Sequence, residues 1–561
     1  MQAQVIKCSV FVSSHFFCYD VFTLFVSTNP RVSRRLPAKE YIPPSSHVLD
    51  VADFRLQAPI TELPFDCWRI KSGEDVLLED EKTLDDICEP RFMAQFGRPL
   101  FGAWFEKGLE TDQFSIFDFA VMKIAGEPID EMSTQGDLAA LGIRILFDFE
   151  PSRTAAVELE NELVERHMRM VFSIPAHGDY IRAGAPSEPI LAEAAARIMN
   201  GTRNRNKGKN WLRQLPTYLD LFRKGDMSSL VMRTMLTFAH DRAIMDMAGH
   251  EYLDHITWSQ AIPVETFLKA WFGVENAESI LASKPDNVPD EKTLGEAFKG
   301  ASVYFTQFVR AEGAKMVSDE TAWAGAARGM AYSYSPLESA IDIMIPIVLQ
   351  RDGKLNRFNS TCLLIQIKDS NERWRPRVDA ERLGFFTHSK SGQSQSRPYI
   401  AIVVQLGAQV SKETKGMTGS QNFALSSQIS KTHEKPFTNP RYAFDIIGCS
   451  SRVFGIMSPL DEDWWARLLQ PQDYLWEHDR RSNEARRAVM RQKPIWQAQA
   501  DSFDWIKPAD AQGKSEYPSS SLFPGASPEE PVETIKIHRY SGDPLDVFCD
   551  KRTGMDEEEE E

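Results

Sequence analysis

Three polar residues in the middle of the chain have the types and the spacing that metal-dependent phosphate chemistry needs. Asp342 enters the apolar run Ile341–Pro346, and a second apolar run, residues 362–369, contains Gln366 and Lys368. Residues two apart in a strand point to the same side, so Gln366 and Lys368 share one face. Carboxylate and amide oxygens suit magnesium, and an ammonium group can orient water or neutralise a phosphate.

The link between the two runs predicts a β-hairpin. An Asp-Gly pair at 352–353 favours a turn between them. A hairpin places Asp342 beside Gln366 and Lys368. Asp342 and Gln366 would then hold Mg²⁺ or Mn²⁺, and Lys368 would position the attacking water. The alternative is a polar rim on an ordinary buried hairpin, because Asp and Lys are common at strand ends.

The same residues also carry a family resemblance. Asp342, followed after 23 intervening residues by Gln366-Ile367-Lys368, resembles the PD-(D/E)XK superfamily of restriction-endonuclease-like nucleases. Glutamine in place of an acid is similar to the Mrr-type branch. The resemblance implies a C-terminal nuclease domain that hydrolyses DNA with a divalent metal, and an extra acid in the helix before the first catalytic strand. Glu296 fits that position, with Glu338 as a weaker choice, and the alternative for Glu296 is a surface residue of a first helical turn.

Further pieces of the chain resemble a family of basidiomycete fungal proteins whose relatives are Crinkler-type proteins. These pieces are residues 96–101, 187–194, 230–236 and 328–331, together with the hairpin. In Crinkler-type proteins an NTPase region precedes a nuclease domain, but this sequence contains no GxxxxGK(S/T) motif. Since that loop and its lysine hold the phosphates of ATP, no ATP binding is expected.

Composition narrows the class of protein. The 561 residues predict two to four domains, and 42% hydrophobic residues are enough for sizeable cores. A net charge of −16 argues against a general polyanion binder, although a local basic groove is enough for a nuclease. The seven cysteines include no CxxC pair, which fits a reducing, intracellular compartment, nuclear or cytoplasmic. No uninterrupted run of about 20 apolar residues occurs, so no membrane span is expected.

The expected fold class is multidomain α/β, with helical N-terminal and middle regions followed by a restriction-endonuclease-like mixed sheet flanked by helices. Strands are predicted at 341–349, 361–368, 399–406 and 442–447, and a helix at 294–309. The predicted regions are an unassigned lead (1–48), a mixed α/β region (49–200), a helical region (201–284), the restriction-endonuclease-like domain (285–475), a basic helix (476–506) and a disordered acidic tail (507–561).

Two charged stretches bear on binding. The predicted basic helix would contact nucleic acid through four arginines, with a solvated surface helix as the alternative. These are Arg480, Arg481, Arg486 and Arg487. Histidines and acids also crowd residues 240–255, but His250 and His255 are five apart rather than four, so a solvated polar helix face is expected there instead of a metal site.

The sequence therefore predicts a magnesium-dependent endodeoxyribonuclease with DNA as its partner. The alternative is an effector or interaction protein whose nuclease-like domain is degenerate and catalytically silent, and which binds nucleic acid without cutting it. Gln366 keeps this alternative open, because an amide brings less negative charge to a cation than a carboxylate does. Nothing in the sequence indicates an oligomeric state.

Overall fold

The structure is a computed structural model that describes most of residues 82–469 and a short strand near the C-terminus. The described residues are 65–67, 70–71, 74–75, 82–108, 114–126, 133–151, 153–173, 181–201, 211–222, 227–249, 256–288, 292–311, 313–334, 340–368, 378–386, 396–406, 439–469 and 534–537. The predicted lead (1–48) and basic helix (476–506) lie outside them.

Helices dominate the first half of the described chain. They are α1 (Leu84–Ile87), α2 (Pro90–Met93), α3 (Pro99–Glu106), α4 (Ile116–Ala125), α5 (Thr134–Ile145), α6 (Thr154–Arg166), α7 (Pro189–Asn200), α8 (Trp211–Tyr218), α9 (Met227–Ala248), α10 (Val264–Phe272), α11 (Val274–Leu281), α12 (Leu294–Ala297), α13 (Asp319–Ala327) and α14 (Glu462–Leu469). Short 3-10 turns occur at Leu219–Leu221, Ala314–Met316 and Arg357–Asn359.

Most of the strands follow the helices. They are β1 (Ile70–Lys71), β2 (Glu74–Asp75), β3 (Met170–Ser173), β4 (Arg182–Gly184), β5 (Ile262–Pro263), β6 (Ser302–Val303), β7 (Gln307–Arg310), β8 (Met330–Ser333), β9 (Ile343–Val348), β10 (Ser360–Lys368), β11 (Tyr399–Gln405), β12 (Arg441–Ile447) and β13 (Thr534–Ile537). All four strands predicted from apolar runs are confirmed within two residues. β13 falls inside the predicted disordered tail, so four residues of that tail are ordered against β12.

One mixed sheet organises the second half of the chain. Its order is β13-β12-β11-β10-β9-β6-β5, and β8 joins β7 to β9 beside this path. β8, β9 and β10 form an antiparallel meander. β11 and β12 then add in parallel to β10, and β13 closes the edge antiparallel to β12. The coarse prediction of a mixed α/β protein is confirmed.

The two faces of the sheet bury two different cores, which explains why its strands are apolar throughout. Leu363 and Ile365 of β10 belong to the larger core, which runs through the helical layer from Met93 to Leu468. Cys362 and Leu364 point the other way, into a smaller core that includes residues of α13 and of 378–386. The predicted boundaries at residues 200 and 284 fall inside the larger core.

The predicted helix at 294–309 is wrong beyond its first turn. Only Leu294–Ala297 is helical, and Gly300, with φ +83°, takes the chain out of the helix. Two strands, β6 and β7, follow instead of further helix. The aromatic residues whose spacing suggested a helix lie in strands and loops and pack into the core. Aromatic residues also favour strands, so their spacing alone misleads.

The solvated polar face predicted at 240–255 is wrong for His240 and Asp241, although Asp246 on the same helix is exposed. His240 and Asp241 are fully buried, because α9 carries buried residues on all sides and crosses the interior. Arg144 donates to both carboxylate oxygens of Asp241, at 2.6 and 2.8 Å, and Asn200 donates at 2.6 Å. Burial alone raises the pKa of Asp241, but the Arg144 guanidinium outweighs it and lowers the pKa to about 2.

Three of the sequence pieces that carry the fungal resemblance meet in one polar cluster. Arg98 forms an ion pair with the buried Glu188 at 2.9 Å. Arg328 donates to the Ser187 hydroxyl at 3.1 Å and to its carbonyl at 2.7 Å. Gly97 has φ +86°, and a Cβ there would lie 2.4 Å from Cγ of Glu188. The cluster ties the starts of α3 and α7 to the end of α13.

Candidate active site

The predicted hairpin forms and brings all three residues to the carboxyl end of β10. β9 and β10 pair antiparallel from Val348–Ser360 to Ile343–Ile365. The connection covers residues 349–359 and is longer than a two-residue turn, since β9 ends at Val348 and β10 starts at Ser360. The Asp-Gly pair lies in a local turn within it, which the Gly353 N–H closes by donating to the Gln350 carbonyl at 3.1 Å.

Asp342 lies in a bend just before β9, and the backbone fixes it there. Its N–H donates to the Ile365 carbonyl at 2.9 Å, and its carbonyl accepts from the Tyr334 N–H at 2.8 Å. Its carboxylate accepts from the Ile367 N–H at 2.6 Å. The carboxylate is therefore held at the residue between Gln366 and Lys368, and the side chain is only 8% exposed. This contact orients the acid, since a backbone donor cannot swing away.

Gln366 is a buried polar residue of β10 whose amide oxygen has no hydrogen-bond partner among the described residues. It is 7% exposed and lies on the side of β10 that faces the smaller core. Its amide oxygen Oε1 is buried and accepts no hydrogen bond within the described part of the chain. An unsatisfied buried acceptor costs about 1–3 kcal/mol, and each native case needs an explanation. A cation or donor at this oxygen is such an explanation.

Lys368 ends β10 on the same face as Gln366 and is half-buried. Its register partner on the parallel strand β11 is Gln405. Gln366 is level with Val403, which is level in turn with Asp445 on β12. Polar side chains therefore gather at the carboxyl ends of three parallel strands, the edge at which open α/β sheets place their ligands.

Gln405 and Asp445 are not among the residues predicted from the sequence, although their signal is present in it. Asp445 interrupts an apolar strand much as Asp342 precedes one, and strict alternation places it on the face opposite Phe444 and Ile446. Placing it near Gln366 required the strand order, which the sequence did not reveal.

The structure does not bring Glu296 to this place. Its carboxylate accepts from the Thr293 N–H at 2.7 Å and closes a capping box at the start of α12. Hydrogen bonding to the Thr293 backbone lowers the pKa of Glu296, an exposed group. The neighbouring Lys292 carbonyl accepts from Tyr442 near the start of β12, so α12 lies by the amino ends of the parallel strands.

The helix that directly precedes the β8–β10 meander is α13 rather than α12. It packs on β9 and β10, on the face that carries the smaller core. Its first turn contains two acids. Asp319 is buried against Arg397 at 2.7 Å, whereas Glu320 is exposed. Glu320 is therefore the exposed acid in the first turn of the helix that directly precedes this hairpin.

The four arginines predicted to contact nucleic acid lie outside the described residues. They are Arg480, Arg481, Arg486 and Arg487. The described residues at the carboxyl end of β10 contribute one cation on the site face, Lys368.

The oxygen atoms of Asp342 and Gln366 are of the chemical type that binds magnesium or manganese. Asp342 supplies a carboxylate and Gln366 an amide oxygen without a partner, both of which are hard ligands. Within the described residues, no three His, Cys, Asp or Glu side chains form a metal-binding group.

Comparisons with protein-family models, curated proteins and solved structures found no match to the chain. Among the helices that the structure describes, none has both the length and the apolar composition needed to cross a bilayer.

Proposed function

We propose that the protein is a metal-dependent nuclease that hydrolyses DNA phosphodiester bonds, with residues 285–475 forming a restriction-endonuclease-like domain. The observation that carries the proposal is the buried pair at the end of β10: an acid anchored by a backbone N–H, beside an amide oxygen without a hydrogen-bond partner. A helix followed by a mixed sheet also suits the nuclease fold. A polar rim would be solvated, whereas both side chains of this pair are more than nine-tenths buried.

Each residue has a distinct role in the proposed reaction. Asp342 and Gln366 would hold Mg²⁺ or Mn²⁺, which supplies Lewis-acid stabilisation of charge on the phosphate. The Ile367 N–H keeps the Asp342 carboxylate oriented before substrate arrives. Lys368, at the rim of the site, would orient the attacking water or neutralise charge that develops on the phosphate. The smaller core beneath them limits access of bulk water to the buried pair.

A cleavage assay on the purified full chain tests the proposal. Supercoiled and single-stranded DNA are incubated with Mg²⁺, with Mn²⁺ and with a chelator. We expect metal-dependent cleavage, and a loss of about 10²–10³-fold in rate for Lys368→Ala, since one electrostatic contact to the transition state contributes that much. Lys354→Ala is the matched control, because Lys354 is exposed in the loop of the same hairpin.

Two results would overturn the assignment in different ways. If Lys368→Ala cleaves DNA at the wild-type rate, Lys368 has no role in the reaction. No cleavage of either DNA with either metal would favour the second candidate function, a nuclease-like protein that binds nucleic acid or a partner without cutting. The neutral Gln366 is the observation that favours this second function, because it leaves Asp342 as the acid of the pair.

A further inference from the structure

His240 is a buried histidine of α9 whose ring makes no hydrogen bond. Its side chain is fully buried, and neither Nδ1 nor Nε2 has a hydrogen-bond partner among the described residues. A neutral imidazole carries one N–H donor and one acceptor, whereas the imidazolium carries two donors and a charge. Because a buried charge without hydrogen bonds is far more costly than a buried neutral ring, this position strongly favours the neutral form.

The acid beside the ring is already occupied by other groups. Oδ1 of Asp241 lies 3.7 Å from Nδ1 of His240, which is longer than a hydrogen bond. Arg144 donates to both oxygens of this carboxylate at 2.6 and 2.8 Å, and Asn200 donates to one of them at 2.6 Å. The other charged residue of α5, Asp137, lies in the first turn of that helix, whereas Arg144 lies in the last. Asp241 therefore has little capacity left to stabilise a proton on His240.

The remaining charged groups around α9 do not compensate a charged ring either. Glu193 of α7 is the second acid that acts on His240. It accepts from the Ser259 N–H at 2.7 Å and forms an ion pair with Arg197 at 2.9 Å, so it too is occupied. The elements α10, α14 and β10 also pack on α9, but within these described elements every charged side chain is exposed or half-buried. These side chains are Glu265, Lys269, Lys368, Glu462, Asp463 and Arg467.

The ring of His240 lies where α9 meets α10 and the sheet. It packs against Phe305, with ring centroids 4.9 Å apart. Phe305 also contacts Phe267 of α10, with centroids 6.0 Å apart, and Phe308 of β7, with centroids 5.4 Å apart. β7 belongs to the mixed sheet through its pairing with β8. A change in the charge of His240 therefore acts on a contact that joins α9 to the sheet.

We propose that His240 is an acid-sensitive contact: its neutral ring holds α9 against Phe305, and protonation of the ring loosens α9. This sensitivity to pH is built into the helical core and does not depend on the proposed nuclease activity. Burial lowers the pKa of His240 and outweighs the opposing attraction of Asp241. Because the folded pKa lies below the unfolded value of about 6.5, the opened chain binds the proton first, and stability is lost as pH falls below about 6.5. Asp241, with its pKa of about 2, is still charged at that point.

Hydrogen–deuterium exchange of the full chain, followed by mass spectrometry and corrected for the intrinsic exchange rate, measures the opening of α9. Between pH 7.5 and 5.5, we expect the opening constant of peptides from 227–248 to rise about tenfold more in wild type than in His240→Phe. Each pH unit below the unfolded pKa is worth tenfold, and phenylalanine keeps an aromatic ring that cannot be protonated. His167→Phe is the matched control, because His167 is also buried but follows α6 and contacts the Ile124 carbonyl through Nδ1 at 2.8 Å. This control should keep the wild-type rise in α9.

Two outcomes would overturn the inference. One is an equal rise in wild type and His240→Phe, which would assign the acid sensitivity to other groups. The other is a wild type whose α9 peptides open equally at both pH values. His240→Gln is the second variant if the first does not fold. If neither variant folds, the wild type decides: opening at pH 5.5 in α9 and residues 305–310 supports the proposal, and opening confined to other elements refutes it. A failure to cut DNA changes none of these readouts.

Discussion

Gln366→Glu is the most informative single change, because it converts an orphaned acceptor into a second charge next to Asp342. Adjacent strands lie about 5 Å apart, so the two carboxylates would be neighbours. Two like charges at about 5 Å in an effective dielectric of about 20 repel by roughly 3 kcal/mol. Without metal, we therefore expect the free energy of unfolding near neutral pH to fall by about 3 kcal/mol.

The sign of the pH dependence follows from the same repulsion. It raises the pKa of the introduced carboxyl above its unfolded value of about 4.3, so the folded variant binds a proton more readily than the unfolded chain. The loss of stability is then absent at low pH and grows as pH rises from the unfolded pKa through the raised one. Urea unfolding at a series of pH values measures this.

Manganese should reverse the effect if the pair is a cation site. A ligand that binds only the folded state at about 100 times its Kd adds roughly 2.7 kcal/mol, which nearly cancels the repulsion. Gln350→Glu is the control, because Gln350 is exposed in the hairpin loop, where surface changes stay within about 0.5 kcal/mol. If the free energy of unfolding of Gln366→Glu is the same with and without Mn²⁺, the cation site is refuted.

Two further predictions test the packing of the helical part of the chain. Gly97→Ala should lower the free energy of unfolding by at least about 3 kcal/mol, because it combines positive φ with a clash against Glu188, whereas Gly108→Ala, at φ +61° with nothing within 4 Å, should cost only about 1–2 kcal/mol; equal losses in urea titrations would contradict the close approach. The Asp241 contribution of about 2 kcal/mol should be present above pH 4 and disappear as pH falls towards its pKa of about 2, and the acid limb of the unfolding curve of Asp241→Asn, compared with wild type, checks this.

The strands of the hairpin and of the parallel sheet could be predicted because their signal is local. Buried parallel strands are continuous apolar runs in the sequence. The apolar runs of this chain begin and end within two residues of the observed strands. The proximity of Asp342 and Gln366 could be predicted from the same local pattern, because a hairpin fixes which residues face each other across its two strands. These elements needed no knowledge of partners elsewhere in the chain.

The features that could not be predicted have a different cause. They depend on contacts between residues that are far apart in the sequence. Asp241 looks solvated in its own helix, but it is buried by Arg144, which is 97 positions away. The sequence predicts one continuous helix at 294–309, whereas the structure has β6, β7 and α13 between Glu296 and the meander. Asp445 was missed because its relation to Gln366 depends on strand order rather than on sequence spacing.

Buried polar groups have different surroundings at the two ends of the parallel strands. This difference argues against the alternative that the polar residues of β10 form only a polar rim on a buried hairpin. At the amino ends, buried acids face arginines, as buried charges must to be tolerated. At the carboxyl end of β10, Gln366 buries an oxygen that no described group satisfies. Leucine or methionine at this position would remove that cost, and under the proposed function we expect a bound cation at the Gln366 oxygen to offset it.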